Sequence, residues 1–266
     1  MPTWEILLLG AIAGVTIVFG LPFGRYRGTS PALRCGLSAL ATGILVFLFW
    51  DVTTNGVEPI EARIHAHHWL AFACYAALLC TGFALGFLGL VYYDHWLARA
   101  RTPVPGTHSW LRSLPPGRRL ALLIATGIGL HNFGEGLAIG QSAAAGELSL
   151  ALVLIIGFGL HNTTEGFGIV GPLAGDAELP SWGFLGAMGA IGGGPTFLGT
   201  VVGQAWVSPA LAVLFFSAAG GSILYVVIQL FEVVRRFSMP LLVGWMLLVG
   251  MLLGFGTDWV LVAAGA

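Results

Sequence analysis

Long stretches of this sequence carry no charge at all. Only 9% of its 266 residues are Asp, Glu, Lys or Arg, and the run from Met239 to Thr257 contains none of them. A soluble domain has about 25% charged residues, whereas a helix that crosses the ~30 Å hydrocarbon core of a bilayer needs about 20 apolar residues in a row. The chain is therefore predicted to be an all-α integral membrane protein with a single polytopic domain over residues 1–266.

Turn-forming stretches divide the apolar sequence into segments of helical length. These breaks are rich in Gly, Pro, Asn and charged residues, which are typical of turns, and they include FGRYRGTSP, TTNGVEPIEAR and GPLAGDAELPSW. We therefore predict eight transmembrane helices, at residues 5–22, 32–50, 68–95, 117–142, 147–171, 181–203, 208–231 and 239–262.

The arginines are unevenly distributed between the predicted loops, and lysine is absent. The first loop holds three arginines, the third holds five and the seventh holds two, whereas the even-numbered loops together hold only Arg63. Basic loops stay on the cytoplasmic side of a membrane. The odd-numbered loops are therefore predicted to be cytoplasmic and both termini extracytoplasmic, in a multi-pass protein of the cell membrane.

A polar motif occurs twice within the apolar sequence, as LHNFGEGLAIG in the fourth predicted helix and LHNTTEGFGIV in the fifth. In each copy a His and a Glu stand four residues apart, which places both side chains on one face of a helix. Imidazole and carboxylate groups are ligands for Zn²⁺ and its first-row neighbours. Because the intervening loop is short, the two helices are predicted to be antiparallel neighbours that share one metal site. Its ligands are His131, Glu135, His161 and Glu165.

Polar residues in membrane helices also form hydrogen bonds between helices, so a purely structural role is the alternative interpretation. An ionisable residue near the bilayer centre is costly, however, and indicates a functional site by default. At 1.5 Å per residue, His131 and His161 are predicted to lie ~17 and ~21 Å below the outer surface. Two glutamates at this depth, each paired with a histidine, favour metal ligation.

The paired motifs on the fourth and fifth of eight helices resemble those of the ZIP family of divalent metal transporters. The bacterial branch, with His-Asn in both copies, is the most similar. The segments ALATGILVFLFWDV and SAAGGSILYVVIQLFE also resemble the second and seventh helices of that family. The resemblance implies transport by rigid movement of one helix group against another, and it implies a homodimer.

In the ZIP family the first metal site takes the His and Glu of both motifs, which correspond to the four ligands named above. A second site uses the residues after the histidines, here Asn132 and Asn162, together with a glutamate of the sixth helix. In this sequence a glycine, assigned as Gly194, stands in place of that glutamate. The resemblance therefore implies one well-formed site and a second that is weak or absent. Gly134 and Thr164 replace the prolines of the family motif.

Polar residues on either side of the site are candidates for the path of the ion. Asp51 is predicted to end the second helix at the outer surface and to act there as a gate residue. The outer loop after it either gathers cations or is an ordinary solvated loop, and it contains Glu58, Glu61, His65, His67 and His68. At the inner end of the seventh helix lie Gln229 and Glu232. Glu232 would receive the ion or, as we favour, pair with Arg235 or Arg236.

The sequence thus predicts a transporter that moves a divalent transition metal toward the cytoplasm. Zn²⁺ is the principal candidate, and Fe²⁺, Co²⁺, Mn²⁺ and Cd²⁺ are alternatives. The expected partners are this ion, as substrate, and the lipid bilayer; no cofactor and no nucleic acid are expected. The alternatives are a metal-binding receptor without transport and a membrane-embedded metalloenzyme. An enzyme would need an open coordination position and a catalytic acid or base beside the metal.

Overall fold

A computed structural model describes residues 3–26, 30–99, 114–144, 148–175, 178–205 and 208–263, and these residues contain helices and no strand. Seven of the described segments are long and apolar enough to cross a membrane. The all-helical class of a membrane protein is thereby confirmed. The helices are α1 (Thr3–Val15), α2 (Pro31–His65), α3 (Trp69–Arg99), α4 (Pro116–Ala144), α5 (Leu148–Val170), α6 (Trp182–Ala205), α7 (Pro209–Arg235) and α8 (Pro240–Ala263). Short 3-10 segments follow α1, at Thr16–Phe19 and Leu21–Arg25, and α5, at Gly171–Gly175.

Helix α2 differs most from the prediction, because it continues to His65 instead of ending at residue 50. The polar residues of the TTNG stretch do not form a turn; their side chains hydrogen-bond to the carbonyl four residues earlier. These residues are Thr53, Thr54 and Asn55. Val52, Gly56 and Ile60 recur every four positions and are buried, so this extension packs against the bundle as a helix.

Glycines bring the backbones of α4 and α6 into direct contact. A Cβ atom at Gly136 would overlap the carbonyl oxygen of Thr196, and one at Gly199 would overlap the carbonyl oxygen of Phe133. Small residues allow this close approach in membrane helices, where packing and hydrogen bonds drive association. The register of α4 against α6 is therefore fixed at the level of the backbone.

The same kind of contact joins three other helix pairs. Gly86 of α3 faces a carbonyl oxygen of α7, Gly250 of α8 faces one of α2, and Gly14 of α1 faces that of Gly193 on α6. These contacts, together with the packing of α1 against α5 and of α2 against α7, define two groups of helices. The first group is α1, α4, α5 and α6; the second is α2, α3, α7 and α8.

Glycines of α4 and α5 also lie at the boundary between the two groups, and the contact is close at Gly127, where a Cβ atom would overlap Cγ2 of Val226 on α7. A Cβ atom at Gly134 would lie 3.7 Å from Cδ1 of Phe216 on α7, and one at Gly168 would lie 3.5 Å from Cδ1 of Leu230. Both are ordinary van der Waals distances. The boundary thus combines ordinary packing at Gly134 and Gly168 with closer contacts elsewhere: Ser222 Oγ donates a hydrogen bond of 3.0 Å to the carbonyl oxygen of Gly127, and Arg119 of α4 pairs with Asp94 of α3.

Arginine side chains connect three of the predicted odd-numbered loops. Arg25, after α1, donates a hydrogen bond to the carbonyl oxygen of Pro180. Arg118, at the start of α4, donates one of 3.4 Å to the carbonyl oxygen of Leu179. The first, third and fifth loops therefore lie at the same end of the bundle, which we call the arginine end.

Substituting Gly199 by alanine tests the backbone contact between α4 and α6. Gly199→Ala is expected to lower the Tm of the purified protein in detergent, because the methyl group overlaps the Phe133 carbonyl and such overpacking costs about 1–3 kcal/mol. Gly186→Ala, on the same helix, is the matched control, since its Cβ meets no atom within 4 Å. Equal Tm values for the two variants would contradict the proposed contact.

Candidate metal centre

The two copies of the polar motif meet inside the bundle. His131 and Glu135 lie near the middle of α4, His161 and Glu165 lie on the neighbouring α5, and all four side chains are buried. The donor atoms of His131, Glu135 and His161 lie within 4.8 Å of one another. The spacing of four residues puts the His and Glu of each helix on one face, and the antiparallel packing of α4 and α5 brings the two faces together.

Both imidazoles converge on one carboxylate oxygen, Oε1 of Glu135. His161 Nε2 hydrogen-bonds to it, and His131 Nε2 lies 3.1 Å away without hydrogen-bond geometry. Oε1 of Glu165 lies 3.9 Å from the same His131 nitrogen. Three side chains thus form the closest set, and Glu165 is the fourth member of the cluster.

Several nitrogen and oxygen atoms of the cluster that could bind a metal ion have no hydrogen-bond partner among the described residues. They are both ring nitrogens of His131, Oε2 of Glu135 and Oε1 of Glu165. A buried polar atom left unpaired costs about 1–3 kcal/mol, and buried charges are normally paired or bound to metal. Ligand atoms lie ~2.0–2.2 Å from a tetrahedral zinc ion, hence about 3.4 Å from one another. The spacing and the unpaired donors fit a divalent transition metal ion.

Threonine side chains of α5 hydrogen-bond to backbone carbonyls of the helix itself and of the segment after α1. Thr164 stands where the family motif has proline, and its Oγ1 donates a hydrogen bond of 2.6 Å to the carbonyl oxygen of His161. Thr163 Oγ1 lies 3.0 Å from the carbonyl oxygen of Gly159 and 3.2 Å from that of Thr16. Helix α5 runs without interruption through the motif, since a threonine keeps the backbone N–H that a proline would lack.

Both motif asparagines donate hydrogen bonds to backbone carbonyls of neighbouring helices. Asn132 Nδ2 lies 3.0 Å from the carbonyl oxygen of Gly192 on α6, and Asn162 Nδ2 lies 3.2 Å from that of Ala13 on α1. Each asparagine thus holds its helix to another member of the first group. Their assignment as ligands of a second metal site stays a prediction.

A cavity of about 300 Å³ leads to the cluster from the end of the bundle opposite the arginine end. On α4 its wall includes residues C-terminal to His131, and on α5 it includes Phe158, which precedes His161. The polar side chains that line it are Asp51, Asn55, His131, Glu135 and Asp258.

The position predicted for Asp51 is wrong, because α2 does not end there. Asp51 lies within the helix and lines the cavity above His131 and Glu135. The residues assigned to an outer loop are also displaced, since Glu58, Glu61 and His65 lie on α2. His67 and His68 follow in the short turn before α3.

Asp258 is a cavity residue that the sequence interpretation did not assign to the site. It lies on α8 and lines the same wall as Asp51. The available signal was a single carboxylate within an otherwise uncharged helix, and such a residue indicates a functional site in a membrane span.

Two further predictions differ from the structure. Gly194 is exposed, and a side chain there would meet no atom within 4 Å, so a carboxylate at this position would point away from the cluster. Gly192 is instead the residue of α6 that contacts Asn132. In the described part of the chain Glu232 forms no ion pair with Arg235 or Arg236, contrary to the pairing we favoured; Glu232 is exposed and Gln229 is half-buried.

No family model matches the chain, and no curated protein matches it. The chemistry of the centre is therefore inferred from its own side chains.

Removing one imidazole tests whether the cluster binds metal. His131→Ala and His161→Ala are each expected to weaken Co²⁺ binding by roughly 100-fold or more, since loss of an outer-shell partner alone typically costs 10–100-fold. Visible absorption of Co²⁺ added to the purified protein in detergent reports both affinity and coordination. Cys74→Ala, at an exposed position on α3, is the control. A Co²⁺ spectrum unchanged by both histidine variants would exclude the cluster as the binding site.

Proposed function

We propose that this protein is a membrane transporter that carries a divalent transition metal ion, principally Zn²⁺, toward the cytoplasm. The observation that carries this proposal is the buried cluster of two imidazoles and two carboxylates at the end of a cavity. The metal ion is the substrate, and the chain needs no cofactor and catalyses no reaction in this proposal. The resemblance of its motifs to those of the ZIP family agrees with it.

The charge of the cluster suits an ion that must be carried through lipid. Two ionised glutamates and two neutral histidines balance a divalent cation, so the loaded centre has no net charge. Moving an unbalanced charge into a low-dielectric interior costs several kcal/mol or more even after relaxation. Binding within this cluster would therefore lower the main barrier to crossing the hydrocarbon core.

The surroundings of the cluster differ on its two sides. The cavity reaches it from one end of the bundle, whereas apolar side chains fill the space toward the arginine end, among them Leu45, Ile128 and Ile169. A central site that, among the described residues, is reached by a cavity from one end of the bundle is the arrangement expected for one state of an alternating-access transporter. Because basic loops stay cytoplasmic, we propose that the cavity opens to the outside and that both termini are extracytoplasmic.

The division into two helix groups supports a rigid movement during transport. All four proposed ligands lie on α4 and α5, within the first group, so the ion would move together with that group. Backbone contacts hold the group together internally. Its boundary with the second group has side chains of ordinary spacing at Gly134 and Gly168, and closer contacts at Gly127 and Arg119 that would have to rearrange during the movement. This boundary is the surface along which we propose that the groups slide.

Uptake of Zn²⁺ into proteoliposomes tests the proposed function directly. The parent protein is expected to accumulate the ion, and Glu135→Ala and Glu165→Ala are each expected to reduce the rate at least about tenfold, because each removes a buried charged ligand. Cys74→Ala is the control for reconstitution. Uptake retained by either glutamate variant would remove that half-site from the mechanism.

The same experiment separates the alternative functions. Tight binding by the parent without accumulation would indicate a receptor. Chemical turnover of an added substrate without accumulation would indicate a metalloenzyme.

Substitution of Asp51 tests whether the cavity is the route to the centre. Asp51→Asn is expected to raise the KM for Zn²⁺ uptake roughly three- to tenfold with little change in maximal rate, because a charge on the cavity wall raises the local cation concentration without binding in the centre. Glu61→Gln, on the same helix but outside this cavity, is the matched comparison. A similar increase in KM for both variants would show only a general surface-charge effect.

A further inference from the structure

Asn132 forms two hydrogen bonds at once, each with a different helix. Its Nδ2 lies 3.3 Å from Oε2 of Glu165 on α5 and 3.0 Å from the carbonyl oxygen of Gly192 on α6. An ionised carboxylate and a carbonyl can only accept hydrogen bonds, so the amide nitrogen, with its two protons, must face them. The side chain is fully buried, and it joins three helices at the level of the metal centre.

The hydrogen bond from Asn132 uses a lone pair of Oε2 of Glu165 and orients the carboxylate. The other oxygen, Oε1, lies 3.9 Å from Nε2 of His131 and has no hydrogen-bond partner among the described residues. A carboxylate held in this way has Oε2 facing Asn132 and presents Oε1 to the cluster as its unpartnered oxygen.

The two copies of the motif are therefore chemically unequal. In the described part of the chain Asn162 donates no hydrogen bond to a carboxylate; its amide bonds to the carbonyl oxygen of Ala13. The corresponding carboxylate, Glu135, is instead contacted by both imidazoles. Glu135 is thus oriented by histidines, and Glu165 is oriented by Asn132.

Building on the proposed function, we propose that Asn132 is a positioning residue that restricts Glu165 to one ligand oxygen and thereby favours ions of low coordination number. Tetrahedral Zn²⁺ is satisfied by four single donors. Mn²⁺ prefers six oxygen-rich positions, and larger hard cations commonly use carboxylates with both oxygens. Asn132 therefore determines specificity through Glu165. This role differs from that of a ligand in a second metal site, which the family resemblance implies.

Exchanging the two partners tests the hydrogen bond in a double-mutant cycle. Asn132→Asp removes the donor, and Glu165→Gln removes the charged acceptor; each is expected to weaken Zn²⁺ binding at pH 8 by about tenfold or more. In the double variant the amide of residue 165 donates to the carboxylate of residue 132, and the total charge of the parent is restored. The double variant is expected to bind Zn²⁺ about tenfold more tightly than either single variant. The measurement is competition with a chromophoric chelator in detergent.

The ligand interpretation gives the opposite result for the first variant. If Asn132 were itself a metal ligand, Asn132→Asp would bind Zn²⁺ as tightly as the parent or more tightly, because a carboxylate is the stronger ligand and adds negative charge. That result, or additive weakening in the double variant, would overturn the positioning role.

The ratio of Zn²⁺ to Mn²⁺ affinity provides a second readout, which a purely structural role would not change. Asn132→Ala frees Oε2 of Glu165, so the preference for Zn²⁺ over Mn²⁺ is expected to fall about tenfold. Ser222→Ala removes an equally buried polar side chain that does not contact a carboxylate, and the ratio is expected to stay at the parent value. If Asn132→Ala has the same ratio of Zn²⁺ to Mn²⁺ affinity as the parent, the proposed effect on specificity is overturned.

Thermal unfolding without metal tests the hydrogen bond between Asn132 and Glu165 independently of metal binding and transport. The Tm of the double variant is expected to be higher than the sum of the two single-variant Tm changes would give, because the hydrogen bond between residues 132 and 165 forms without a metal ion. If the parent binds Zn²⁺ but the Tm changes of the two single variants simply add in the double variant, the role of Asn132 is overturned and the proposed function is not. A parent that binds neither Zn²⁺ nor Mn²⁺ would overturn the proposed function, and with it the specificity assigned to Asn132.

Discussion

The convergence of two imidazoles on the Glu135 carboxylate is the interaction on which the centre of this protein depends. A carboxylate in an apolar interior is stable only if it is neutralised or paired, and its partners here come from two different helices. A shift of α5 by one residue would rotate His161 by about 100° and remove one of them. The polar cluster therefore requires a fixed register of α5 against α4, which apolar side chains alone would not specify.

Glycine and asparagine provide that register within the first helix group. Close backbone contact fixes α4 against α6, while Asn132 and Asn162 bind carbonyl oxygens of α6 and α1. Interhelical hydrogen bonds of this kind are each modest, about 0.6 kcal/mol on average in membrane proteins. Their effect here is geometric, since they fix the side chains next to each histidine. The boundary with the second group has ordinary packing at Gly134 and Gly168 and closer contacts at Gly127 and Arg119.

Local patterns were sufficient to predict the class, the succession of eight helices and the facing of His and Glu within each motif copy, because apolar length and a four-residue spacing are properties of single helices. These local patterns gave wrong predictions where packing between helices determines the structure. The TTNG stretch has the composition of a turn, but burial of Val52, Gly56 and Ile60 keeps it helical. Gly194 lies only two residues from Gly192, yet about 200° of helical rotation directs the two positions to different surroundings. The bond between Asn132 and Glu165 depends on the distance between two helices, which no single-helix pattern contains.

The two sets of carboxylates near the centre belong to different helix groups. Glu135 and Glu165 lie on α4 and α5 in the first group, whereas Asp51 and Asp258 line the cavity from α2 and α8 in the second. In the proposed mechanism, sliding of the first group would carry a bound ion away from the negative charges that attracted it. Because the loaded centre has no net charge in this proposal, the cavity carboxylates would attract the free ion on entry more strongly than they would hold the loaded group during the movement. In this proposal the ligands and the cavity carboxylates lie on separate groups, so the ion would be near the cavity carboxylates when it enters and farther from them when it is released.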